Sequence, residues 1–72
     1  MTFANEQRAH RCAIVLTAYS RHNDLRENLI DLLADAMHWC KRTQHDFAAI
    51  LDAASQHYAV EIAEAEDEGR MS

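Results

Sequence analysis

Apolar residues recur along this chain at intervals of three and four, the spacing that gathers them on one side of an α-helix turning about 100° per residue. Three such runs are separated by short polar stretches at Ser20-Arg21-His22-Asn23 and Lys41 to His45. The first predicts a helix over about 3–19, with Ala9, Cys12, Ala13, Leu16 and Tyr19 toward a core. Ile14 projects to the other side, near Phe3 and Ala18, as a second and smaller apolar surface. The second run predicts a helix over about 25–41. Its apolar residues Trp39, Leu32, Leu25, Ala36, Leu29, Cys40, Leu33, Met37 and Ile30 span an arc of about 180°, wider than one neighbour requires. That helix belongs in the centre, touching both others or touching one of them and a second copy of the chain. The third run predicts a helix over about 46–66 with Phe47, Ile50, Leu51, Ala54, Tyr58, Ile62 and Ala65 as its stripe.

The boundaries have chemical causes. Asp24 is placed to accept a bond from a first-turn amide, with Glu27 three residues on in a capping-box spacing. Asp46 and Asp52 suit the positive end of the third helix, whereas Glu64, Glu66, Asp67 and Glu68 crowd its negative end. The last turn is therefore expected to fray, leaving residues 67–72 as a mobile tail. With no proline and one glycine, little interrupts helix elsewhere. The expected architecture is all-α: residues 1–72 as a single helical domain, an antiparallel three-helix bundle. Seventy-two residues bury only about 60% of the surface an unfolded chain exposes, so self-association into a homo-oligomer such as a dimer is also expected.

Composition narrows the classes. Cys12 and Cys40 have neither a disulfide-framework pattern nor the spacing of a zinc or redox motif, and are read as reduced, buried small hydrophobes. The opening residues have no basic-then-apolar leader and no stretch approaches the ~20 apolar residues of a membrane span, so the expected location is cytoplasmic, away from membranes. Charge is sorted along the chain. Residues 1–45 carry six Lys and Arg against five Asp and Glu; residues 46–72 carry one against seven, which accounts for most of the net charge of −5. Direct nucleic-acid binding is disfavoured, because the helix that would read a groove is the acidic one and the arginines Arg8, Arg11, Arg21 and Arg26 are dispersed. An acidic helix suits a basic groove on another protein, including one built for nucleic acid.

Candidate chemistry is sparse. Glu27, Asp31, Asp35 and His38 share a polar arc of the second helix. If the second and third helices pair about Gln44, Asp31 comes level with His57 and Glu27 with Glu61, and bundles do assemble metal sites from such residues. Asp31, Asp35, His57 and Glu61 thus define the metal-dependent hydrolase alternative, although Glu27, Asp31 and His38 project away from the apolar arc. Glu61 falls inside the third stripe, where a carboxylate needs a partner such as an imidazolium or a tyrosine hydroxyl if it is buried. His10, His22 and His45 are read as structural or solvated. No glycine-rich loop is present to cradle phosphate, and no cofactor is implied.

Residues Asn28 to Glu61 resemble small helical proteins of bacterial plasmids, phages and integrated elements, of unassigned function. The likeness lies in Leu32-Leu33-Ala34-Asp35-Ala36-Met37-His38-Trp39-Cys40, then Asp46-Phe47, His57-Tyr58 and Glu61. Many such sequences have glycine at the junction where this one has Thr43-Gln44-His45. In size and acidity the chain is similar, by class only, to anti-CRISPR proteins, which implies a mobile-element inhibitor of a host-defence complex. A weaker likeness to all-α nucleotide pyrophosphohydrolases lacks their Glu-x-x-Glu spacing on the second helix. The function expected is a non-enzymatic interaction protein in which Glu61, Glu64, Glu66, Asp67 and Glu68 contact a basic protein surface, such as that of a nucleic-acid-binding protein or complex. The alternatives are a metal-dependent nucleotide hydrolase and a purely structural oligomerisation module.

Overall fold

The computed structural model describes residues 3–19 and 23–70, with side chains described as far as Asp67. Three helices follow in order: α1 over Phe3–Ala18, α2 over Leu25–Thr43 and α3 over Phe47–Arg70, with no strand among the described residues. The all-helical class follows from the 3.6-residue periodicity and the scarcity of breakers. The expectation for the Ser20-Arg21-His22 part of the first junction lies outside the described residues, as does that for Met71 and Ser72.

The cap at Asp24 forms: its extended backbone (φ −92°, ψ 118°) lets the carboxylate accept from the Arg26 amide at 2.9 Å. Glu27 accepts from the Arg26 guanidinium at 3.1 Å. At the other end of α2, Gln44 adopts the left-handed conformation (φ 62°, ψ 36°), and the amides of Gln44 and His45 both return to the Cys40 carbonyl. Such a bend satisfies the carbonyls that a helix end leaves over. Asp46 then opens α3, its carboxylate accepting from the amides of Ala48 (3.0 Å) and Ala49 (3.4 Å). The helix runs on to Arg70, past the expected end at 66, so residues 67–70 are helix and not tail. Alanine and glutamate are good helix formers and no proline intervenes, so intrinsic preference outweighs the unfavourable dipole there.

Packing departs furthest from expectation. Among the described residues, the buried apolar side chains are Leu16 and Cys40, and the buried polar ones are Asn5 and Asn28. Cys12, expected inside, is exposed, and both cysteines are free thiols. The stripes of α1 and α3 are partly covered, Leu16 buried with Ala13 and Tyr19 half-covered, and Phe47, Ile62 and Ala65 half-covered, whereas the covered side of α2 holds Asn28 and Asp31 beside Leu32, Ala36 and Cys40, off the centre of its apolar arc. They are not sealed: Leu29, Leu33, Met37, Ile50, Leu51 and Tyr58 all remain exposed. The molecule measures 46 × 30 × 14 Å. Three helices packed in a triangle at axis separations of about 8–10 Å would span only about 14 Å across their backbones, so this trio is spread out in its second dimension. Its radius of gyration, 15.0 Å, exceeds the ~11 Å of a compact domain of this length.

Candidate functional site

α1 reaches the other helices through polar side chains. Near its C-terminal end, the Asn28 amide donates to the Leu16 carbonyl at 3.0 Å, and Asn28 is 1% exposed. Leu16 lies in the last turn of α1, where carbonyls have no helical partner, so a side-chain amide from α2 supplies the missing donor. Near its N-terminal end, Asn5 Nδ2 donates to the Glu61 carbonyl at 3.3 Å. Arg8 completes a clasp: its Nη1 donates to Asn5 Oδ1 at 2.6 Å and its Nε lies 2.5 Å from Glu61 Oε2. Glu61 therefore finds its partner in an arginine of α1, a pairing that helix-by-helix projection could not show because it spans 53 residues of sequence.

Between these two attachments lies a groove of about 630 Å³. Ala9 and Cys12 of α1, Leu29 of α2, and Tyr58 and Ile62 of α3 line it, and the Arg8–Glu61 pair stands at its rim. The lining is almost wholly apolar, and the bordering charges cancel. By area it has the surface chemistry of an unfilled core, with the Glu61 carboxylate in its lining engaged by Arg8.

The sequence-predicted contact residues divide. Glu61 is half-buried and engaged with Arg8, which removes it from the outward acidic set. Glu64, Glu66 and Asp67 are exposed along the end of α3, while the Glu68 side chain lies outside those described. Among the described residues no three of His, Cys, Asp and Glu come together to hold a metal ion. Asp31, Asp35, His57 and Glu61 are thus not brought to one centre; Asp35 and His57 face solvent and Glu61 faces Arg8.

His45 is structural in a specific way. Its ring stacks on Trp39, centroids 5.0 Å apart and planes 12° from parallel, and its Nδ1 lies 2.7 Å from Thr43 Oγ1. That hydroxyl donates to the Trp39 carbonyl at 2.7 Å, so the Nδ1 of His45 is the donor to Thr43. Among the described residues, no helix is long and apolar enough to cross a membrane. No protein-family model matches the sequence, and no curated protein or solved structure matches it significantly.

Proposed function

We propose that this chain is a non-enzymatic interaction protein that uses the end of α3 to engage a basic protein surface. The observation supporting this reading is the exposure of Glu64, Glu66 and Asp67 on the part of the longest helix beyond its clasp with α1 at Glu61. Arg70 is the only Lys or Arg after Asp46, so the field there is negative. Such a field raises the encounter rate with a positive surface and discriminates against negative ones. The basic grooves of nucleic-acid-handling proteins or complexes are the partner chemistry it fits, in keeping with a mobile-element inhibitor. The set assigned to the contact is Glu64, Glu66, Asp67 and Glu68, with Glu61 positioning α1.

The test is capture from extracts of the host cell, with the retained proteins identified and then purified for titration. Reversing Glu64, Glu66 and Asp67 to lysine is expected to weaken binding by roughly 30-fold at low salt and much less at high salt. Asp52→Lys, an exposed carboxylate nearer the start of α3, is the control for net charge. Equal retention of the triple variant and wild type in both salts would reject the assignment.

A further inference from the structure

The free chain is unfinished by its own measure of surface. It exposes 6138 Å², whereas a compact folded monomer of its mass exposes about 4,500 Å². The difference is roughly 1,600 Å² per chain, or about 3,200 Å² for a pair, which falls within the ~2,000–5,000 Å² that obligate homodimers bury. Part of it lies where the sequence places a core: Leu33 and Met37 of α2 are 43% and 54% exposed, and Leu51 and Tyr58 of α3 are 50% and 66% exposed.

We propose that a second copy of this chain covers the apolar faces of α2 and α3 across a two-fold axis, so that the folded unit is a homodimer sharing one core. Three observations select a second copy over another occupant. A chain with two buried apolar side chains among its described residues needs its cover whenever it is folded, and its own synthesis is the one source that supplies a partner in equal amount. The face is also apolar: Leu33, Met37 and Leu51 are aliphatic or thioether side chains, and Arg8 and Glu61 at the groove pair with each other. The net charge of −5 on each chain therefore stays outside the contact. Finally, the face offers projections and hollows together, as an isologous contact requires: Leu51 and Tyr58 stand beside the small Ala54 and Ser55, and the groove between the helices is open to receive a side chain.

This inference is independent of the basic partner, and salt separates the two. Sedimentation equilibrium of the full chain across the micromolar range is expected to give twice the 8.2 kDa of one chain, held as firmly at high salt as at low. The thermal midpoint should rise with chain concentration, as it does for any dimer that unfolds to monomers. Leu33→Glu and Leu51→Glu, each at a position that a free monomer leaves half-exposed, should raise the dissociation constant by about 30-fold or more. The triple lysine variant of α3 should keep the dimer mass. A single-chain mass throughout, with a cooperative melt that does not move with concentration, would overturn the proposal; that readout comes from wild-type protein and does not depend on a variant folding. So would dimers that fall apart as salt is raised, or a chain that gains mass only with a captured protein.

Discussion

Between Cys40 and Ala49 the chain turns on bonds that never leave the neighbourhood: two amides on the Cys40 carbonyl, a carboxylate capping α3 and a ring stacked on Trp39. α1 is attached differently, through the Asn28 amide at one end and the Asn5–Arg8–Glu61 clasp at the other, with an open apolar groove between. The corner is complete within one chain. The attachment of α1 is not, because hydrogen bonds set its position while the surface that would hold it remains wet. A hydrogen bond contributes about 0.5–1.5 kcal/mol net, whereas burying one large aliphatic side chain contributes about 1.5–3 kcal/mol. Position and cohesion come from different groups here, and α1 has mainly the first. Amide exchange should accordingly be faster in α1 than in the second half of α2.

The largest effect should come from removing the polar bond that is fully buried. Asn28→Leu keeps the volume close but leaves the Leu16 carbonyl buried without its donor, at an expected cost of about 1–3 kcal/mol. Denaturant unfolding at fixed chain concentration measures it, the concentration being held because association shifts stability. A loss below ~0.5 kcal/mol would mean that water reaches this carbonyl and that Asn28 does not hold α1 in place.

The same comparison explains what could be read from sequence. The corner was legible because its determinants are neighbours, the polar break near Gln44 and the acid before Phe47, and the cap at Asp24 that opens α2 was legible for the same reason. The covered sides of α1 and α3 were legible in part from periodicity, but on α2 Asn28 is buried while Leu33 and Met37 at the middle and far side of the arc are exposed. What escaped was long-range. Nothing in the spacing of α1 announces that Asn5 and Arg8 will meet Glu61, or that Asn28, between apolar positions, will point at a helix end. Cys12 shows the same limit: its place on the wheel is right, yet it is exposed because placement on a stripe does not guarantee a neighbour across from it. No three metal-ligating side chains gather among the described residues, since matching two helices by level says nothing of which sides face each other.

A smaller effect, of opposite sign, should come from the corner. Gln44 holds a left-handed backbone that costs a residue with a Cβ roughly 1–2 kcal/mol and glycine almost nothing. Glycine also gains freedom in the unfolded chain, which returns part of that benefit, so Gln44→Gly is expected to stabilise by about 0.5 kcal/mol. Gln44→Ala should give no gain. Stabilisation by alanine as large as by glycine would show that the left-handed geometry is not what limits the corner.

The smallest and most discriminating effect belongs to the clasp. Arg8 and Glu61 side chains are 40% and 29% exposed in the single chain, so their coupling in a double-mutant cycle with Arg8→Gln and Glu61→Gln should be only about 0.2–1 kcal/mol and should fall with salt. Asn5 accepts from the same guanidinium, so Asn5→Ala should reduce that coupling further by freeing Arg8 to turn toward solvent. The pair stands at the rim of the groove, which makes it a gauge of what covers the groove in solution. A coupling above ~2 kcal/mol that salt leaves unchanged would place the pair in a desolvated setting. The single chain does not supply that setting, so the excess would have to come from a second copy closing over α1, and it should vanish in Leu51→Glu. A weak, salt-sensitive coupling that Leu51→Glu leaves untouched would instead put the clasp on the outer edge of the assembly, with the covered face confined to α2 and α3.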